Sequence, residues 1–406
     1  MSRLRHTTSD ATSLESQTRS ERGFADTEAS LVSIGTAKIS GANKLRGLLS
    51  FLGPNNPLPA PITKHDVVWL MDNVAYRGPG GAWHAEFVSA AFEGDISAKL
   101  VDIVGDIAGC VGLSKGDAEE AIIEHRIVPF VRDVLPGRQV KVNVHAQETG
   151  RLRLGPGGRN GISSDVKRIP TPVDSSIVLF TADVPEGAQG LLEMKTVFAE
   201  PEGWAIISDI DDTIKITQTS DPVAILRSTF ISEPTPVPGM PELYAYLQTL
   251  VTAEAPWFYL SASPYNLYPF LREFRDEHFP HGQLILRDAN LMTIPGLLSN
   301  LTLGTQQYKV DRIKKVNRWL PKRKMIFIGD STQSDPEAYG EIYRTYPGWV
   351  KLILIRKVTD VASVGKEEKN APERFETAFA GVPRDAWHVF EDPSECQPLL
   401  YKVTLT

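Results

Sequence analysis

A chain of 406 residues, 42% hydrophobic and 23% charged, has the composition of a globular protein long enough for two or three cores. Its 43 Lys+Arg against 50 Asp+Glu give a net charge of −7, which excludes the basic footprint of a general nucleic-acid binder. Two cysteines, Cys110 and Cys396, exclude a disulfide framework and fit a reducing compartment, and no stretch reads as a signal core or a membrane span.

Residues 1–30 are rich in Ser, Thr, Arg and Glu, with few large apolar side chains, and are expected to be disordered. Residues 38–52 mix basic and apolar side chains. Their two interior glycines favour a segment docked on its own domain over an interfacial membrane anchor. Gly53–Pro61 reads as a linker. Three regions are therefore expected: an N-terminal segment over 1–60, a β-rich accessory domain over 61–200 and a catalytic domain over 201–406.

Within the second region, Val67–Met71 reads as a strand, and Asp117–Val134 as a helix that Pro129 kinks or ends. Val140, Val142 and Val144 alternate with Lys141 and Asn143 at the strand period, and Ile177–Phe180 and Leu191–Val197 suggest further strands. Gly-Pro-Gly-Gly at 78–81 and at 155–158 marks turns. Neither has the lysine and strand-to-helix context of a phosphate-binding loop.

From residue 204 the pattern turns to alternating strands and helices, the signature of a parallel α/β sheet. Trp204–Ser208, Trp257–Leu260, Leu284–Leu286, Met325–Ile328 and Val350–Ile355 read as strands. Pro222–Ile231, Met240–Val251, Leu267–His278, Tyr308–Leu320 and Pro336–Tyr346 read as helices. The tail, 361–406, is expected to hold a charged helix near Lys366–Phe379 and an extended end. Residues Asn290–Tyr308 are uncharged and leucine-rich, so Leu297 and Leu298 are expected either to engage lipid or to fill the core.

The chemistry gathers at strand ends. Trp204–Ile207 is a continuous apolar run that stops in Asp209, Asp211, Asp212 and Thr213. In an open α/β sheet, ligands bind outside the carboxyl ends of the strands. Carboxylates this close repel one another unless a cation or shared protons compensate. Hard cations such as Mg²⁺ take carboxylate and phosphate oxygens. The second strand ends at Ser261, and the fourth ends in Asp330, with Asp335 five residues on. Lys309 opens the helix before that strand, although Lys314 and Lys315 stand close by. As a phosphoryl-transfer site, Asp209 would be the nucleophile and Asp211 the general acid and base. Ser261, Lys309 and Thr213 would meet the phosphate, and a cation would be held among Asp209, Asp211, Asp330 and Asp335. Asp212 should turn away and bond amides of the turn, because alternate residues of an extended chain face opposite ways. Asp335 before Pro336 also reads as a helix N-cap.

This order resembles the haloacid dehalogenase superfamily: DxDxT at Asp209, Asp211 and Thr213, then Ser261, Lys309, and the acidic pair Asp330 and Asp335. The strings Ser-Asp-Ile-Asp-Asp-Thr-Ile-Lys (208–215), Tyr-Leu-Ser-Ala-Ser-Pro (259–264) and Ile-Gly-Asp-Ser-Thr-Gln-Ser-Asp-Pro-Glu-Ala-Tyr (328–339) are similar to the actin-patch-associated phosphatidate phosphatases of fungi and bacteria. That resemblance implies a Mg²⁺-dependent enzyme making diacylglycerol from phosphatidate through an aspartyl phosphate. It also implies a cytoplasmic protein peripheral at membranes or cortical actin patches, with lipid phosphate and endocytic or actin-patch proteins as partners and no nucleic acid. The related lipins carry Gly in place of Asp212. A phosphatase for soluble phosphate esters and a non-catalytic cortical or endocytic scaffold are the alternatives.

Overall fold

A computed structural model describes residues 15–31, 52, 56, 58–95, 100–113, 118–144, 150–172, 175–288, 294–359 and 366–405. Two sheets organise them. The second is six-stranded and wholly parallel, in the spatial order Gln283–Arg287, Trp257–Pro264, Trp204–Asp209, Lys324–Asp330, Val350–Arg356, Trp387–Phe390. The first strand in sequence is thus central, and later strands are added to one side and then to the other. The direction of addition reverses between Trp204–Asp209 and Lys324–Asp330, and that switch point opens a crevice at the carboxyl edge.

The period-two alternation of a buried strand explains how both faces are covered. Ile206, Tyr259, Ile326, Ile328 and Leu354 pack on one side, with helices Pro222–Phe230, Met240–Leu250 and Tyr268–His278. Ala205, Ile207, Phe258, Phe327 and Ile353 pack on the other, with helices Thr305–Trp319 and Asp335–Thr345. The expected strands and helices of this region are all present, with ends shifted by a few residues. The edge strand Trp387–Phe390 comes in addition. The tail differs from expectation. Pro372 splits the charged helix into Lys366–Lys369 and Pro372–Ala378. The end is not extended, because Gln397–Thr404 is a helix that buries Leu400.

The other sheet is ten-stranded and mixed, built from strands between Ala60 and Ala199, and the Glu119–Val131 helix packs beside it. Helix Leu100–Cys110 and strands Asn73–Arg77 and Trp83–Glu93 were not expected from the sequence. The two sheets share their cores: Trp69, Phe92 and Ile127 lie in one apolar cluster with Tyr259 and Tyr268. Across this junction Arg275 Nη2 meets Asp72 Oδ2 at 2.8 Å, with both side chains buried, and the Asp72 amide donates to Tyr268 Oη at 2.7 Å.

One expectation is corrected here and one pair of alternatives is decided. Residues 15–21 and Phe24–Ser30 are helical rather than disordered. Phe24 and Leu31 supply the buried apolar surface, and the Glu15 carboxylate accepts from the Gly304 amide at 3.2 Å and the Thr305 hydroxyl at 2.5 Å. Leu297 and Leu298 sit in helix Ile294–Thr302 and are fully buried with Leu301. They fill the core, since residues this buried offer no surface to lipid. Residues 1–14 and nearly all of the 38–52 segment lie outside the described residues.

Candidate active site

Strand register sets the site. Leu260 pairs with Asp209, and Ile328 pairs with Ser208, so Ser261 and Asp330 leave the sheet at the level of Asp209. The Asp209, Asp330 and Asp335 side chains are buried, each offering an oxygen within 4.8 Å of the others. Lys309 projects into this cluster from the first turns of helix Thr305–Trp319. Its Nζ lies 2.7 Å from Asp209 Oδ1 and donates to Asp335 Oδ1 at 2.5 Å. Lys314 and Lys315 point elsewhere, to Glu341 and Glu86. Thr213 Oγ1 lies 3.2 Å from Asp209 Oδ2 and 3.4 Å from Asp330 Oδ2, bridging the two carboxylates.

Electrostatics follow from this packing. Three carboxylates against one ammonium leave an excess of negative charge out of water. Burial raises the Asp209 carboxyl well above its ordinary value, Lys309 opposes that, and Asp335, Asp330 and Asp211 add to it. Burial and the Asp335 charge push Asp330 up to about 6 against the pull of Lys309. Burial lowers the Lys309 ammonium, but the charges of Asp209, Asp335 and Asp330 outweigh it and hold it above its ordinary value. Asp209 Oδ1 is buried and accepts no well-directed hydrogen bond, although Lys309 Nζ is near. Hard oxygens converging with excess negative charge and an under-used lone pair fit a divalent cation.

Asp211 stands apart from the acidic cluster. Its Oδ2 accepts from Ser261 Oγ at 2.5 Å and Ser263 Oγ at 3.3 Å, and its Oδ1 accepts from Thr217 Oγ1 at 2.8 Å. Ser261 is therefore directed at Asp211. Asp212 does turn away. It occupies the left-handed region at φ 63°, which Asp tolerates better than most residues. Its carboxylate accepts from the amides of Thr217, Gln218 and Thr219 at 2.9, 2.7 and 2.8 Å. It thus folds the 213–219 loop over the site.

Asp335 is not an N-cap. Ser334 holds that position without a side-chain bond, while Asp335 Oδ2 accepts from the Asp330 amide at 3.1 Å. The carboxylate is drawn inward to Lys309 rather than back onto its own helix.

Other residues of the site carried no signal of their own. Arg374 donates to the Ser331 and Gln333 carbonyls at 2.5 and 2.6 Å and pairs with Glu337, clamping the loop after Asp330. Arg356 donates to the Asp212 carbonyl at 2.8 Å. Lys215 and Ser263 lie inside the strings read above, so proximity to the motif was their only mark. Together with Asp211 and Thr217 they floor a cleft of about 780 Å³.

Residues 204–357 match a family model described as the catalytic domain of phosphatidate phosphatase APP1. Over 267 residues the chain is 28% identical to the phosphatidate phosphatase APP1 of Saccharomyces cerevisiae, covering 63% of this chain and 44% of that one. Over 169 residues it is 28% identical to an uncharacterized protein of Schizosaccharomyces pombe, covering 41% of this chain and 27% of that one. The chain thus spans less than half the length of these curated relatives. Residues 204–357, which hold Asp209, Ser261, Lys309 and Asp330, are thus similar to the catalytic domain of phosphatidate phosphatase APP1.

Proposed function

We propose that this chain is a Mg²⁺-dependent phosphatidate phosphatase with a haloacid dehalogenase-like catalytic domain over residues 201–406 and an accessory domain over 61–200. One observation carries the reading. Asp209, at the end of the central strand, is buried beside Lys309 and the Asp330–Asp335 pair, inside the segment that matches a phosphatidate phosphatase family. The activity printed for the budding-yeast relative supplies the substrate class.

Asp209 and Asp330, backed by Asp335, would hold the Mg²⁺, which when bound offsets the charge that phosphate brings to the carboxylates. A carboxylate oxygen of Asp209 attacks phosphorus, and the bond from phosphorus to the glycerol oxygen breaks. Asp211, oriented by Ser261, Ser263 and Thr217, gives its proton to that departing oxygen. Asp211 then takes a proton from water, whose oxygen attacks the aspartyl phosphate, releasing phosphate and restoring Asp209. Lys309 keeps its positive charge and attracts the phosphoryl oxygens. Thr213 holds Asp209 and Asp330 in place.

Among the described residues no helix is long and apolar enough to cross a membrane. The enzyme meets its lipid as a peripheral protein on the cytoplasmic side. The test is phosphate release from phosphatidate in mixed micelles, against soluble phosphate esters, with Mg²⁺ and with a chelator. Mg²⁺-dependent release from phosphatidate that Asp209→Asn abolishes is the expected result. Preference for soluble esters, or release that survives Asp209→Asn in a folded protein, overturns the reading.

A further inference from the structure

The cleft beside Asp211 is not accounted for by the phosphate chemistry. Its floor is polar: Asp211, Lys215, Thr217 and Ser263. Its wall is apolar: Ile122 from the Glu119–Val131 helix, and Phe270, Leu271 and Phe274 from the Tyr268–His278 helix. The two helices are more than a hundred residues apart in sequence, one packed with the mixed sheet and one with the parallel sheet. At about 780 Å³ it is within the range of small-molecule pockets, which pair an apolar lining with a few placed polar groups.

We propose that this cleft receives an acyl chain of the leaving diacylglycerol, so that the enzyme senses chain length on its own surface rather than leaving both tails in the bilayer. The inference rests on the phosphatase reading above. If Asp211 protonates the departing oxygen, the group attached to that oxygen must lie on the Asp211 side, and the cleft is the space there. Lys215 is buried, and its hydrogen-bond partners, Thr217 Oγ1 at 3.2 Å and the Ile216 carbonyl at 3.5 Å, are neutral. Its ammonium can therefore turn to ester or phosphate oxygens at the polar end. The apolar wall begins immediately beyond it. The rest of the lining carries both signs of charge, Glu273 and Glu277 as well as Arg126 paired with Glu233. A molecule with its anionic and ester oxygens inward and a hydrocarbon chain outward matches this sequence of surfaces. Ile122 and Phe270 are only half-buried, so each presents surface to the cleft without being part of the deep core.

The test removes the bilayer. Phosphatidates with four- to eight-carbon chains are supplied as monomers below their aggregation limit, alongside glycerol 3-phosphate, to the full chain with Mg²⁺. The expected result is a rise in kcat/KM with chain length, approaching about fourfold per methylene where the added group is fully buried. Ile122→Asn and Phe270→Asn should flatten that slope, and Ile122→Trp, which fills the cleft, should move the optimum to shorter chains. Thermal unfolding of each variant verifies its fold. A flat series for the parent protein means that the tails are not bound and overturns the proposal. So does a slope that all three variants preserve. Release from glycerol 3-phosphate with none from any phosphatidate overturns the phosphatidate reading beneath it, a result distinct from a flat series.

Discussion

Lys309 Nζ lies 2.7 Å from Asp209 Oδ1, and both side chains are cut off from water. Removing one partner of such a pair leaves a buried charge uncompensated, which costs about 3–5 kcal/mol. Here the loss would leave Asp209 and Asp335 without the ammonium that pairs with both. Lys309→Met is therefore expected to lower the unfolding temperature markedly and to abolish phosphate release. Lys314→Ala, which disrupts a partly exposed pair, should cost no more than about 1 kcal/mol; Lys315→Ala, which leaves the buried Glu86 without its ammonium, should cost more, and both should retain turnover. Parallel unfolding and turnover measurements on the three variants check this. Normal turnover by Lys309→Met would remove the lysine from the mechanism.

Asp211 and Asp212 are neighbours with different work. Asp211 meets the Ser263 and Thr217 hydroxyls, which line the cleft, while Asp212 holds three backbone amides of its own loop. Asp211→Asn should lose on the order of a hundredfold in turnover, within the usual range for general acid–base help, with little change in stability. The deficit should shrink on p-nitrophenyl phosphate, whose leaving group needs less protonation. Asp212→Asn presents an amide to amide donors, so it should cost about 1–3 kcal/mol of stability and only a few-fold in turnover. Equal losses at both positions on both substrates would show that the whole turn is structural.

The raised carboxyls give a pH signature. Asp209 and Asp330 bind protons more tightly folded than unfolded, Asp330 near pH 6. The Asp330 contribution to stability is complete below the ordinary carboxylate value near 4 and is lost as pH rises through about 6, and Asp209 acts in the same direction. Lys309, raised above its ordinary value, contributes nothing that changes in this window. Without divalent cation the protein should thus lose stability between about pH 4 and 7. A cation displaces those protons, so the unfolding temperature should rise more with Mg²⁺ at pH 7.5 than at pH 5. Scans at both pH values, with Mg²⁺ and with a chelator, decide the matter; equal shifts at the two pH values place the cation elsewhere.

The strand ends were legible because a strand buried on both faces is apolar until it leaves the sheet, so Asp209 and Asp330 stand out against Ile206–Ile207 and Phe327–Ile328. What linked Ser261 to Asp211, or chose Lys309 over Lys314 and Lys315, was register and helix phase, which only the packed sheet supplies. Trp83–Glu93 escaped notice because His84, Glu86 and Ser89 interrupt its apolar run, and their partners lie far along the chain: Glu86 bonds Ser164, and Ser89 bonds Ser163. Leu297 and Leu298 show the limit of periodicity. An apolar helical face has the same pattern whether it meets lipid or its own core. Residues 15–31 show the limit of composition, since Phe24 and Leu31 suffice to dock a segment that is otherwise polar.

Gly329 tests how finely the acidic pair is placed. A Cβ added there would meet Asp335 Cβ, Cγ and Oδ2 at 2.7 Å each, nearer than side chains approach one another. Asp335 cannot swing aside without breaking its bonds, because it is fully buried and held by Lys309 and by the Asp330 amide at 3.1 Å. In Gly329→Ala the methyl must displace the carboxylate, and overpacking of this kind costs about 1–3 kcal/mol. The more telling effect is on the site: turnover should fall, and the stabilisation by Mg²⁺ at pH 7.5 should diminish with it. Gly105→Ala is the control, since a Cβ there meets nothing within 4 Å on the Leu100–Cys110 helix. Alanine is the better helix former, so that variant should gain up to about 1 kcal/mol and keep both turnover and the Mg²⁺ response. If Gly329→Ala keeps the full Mg²⁺ response and full turnover, the position of Asp335 does not matter to the cation, and Asp209 and Asp330 hold it without that support.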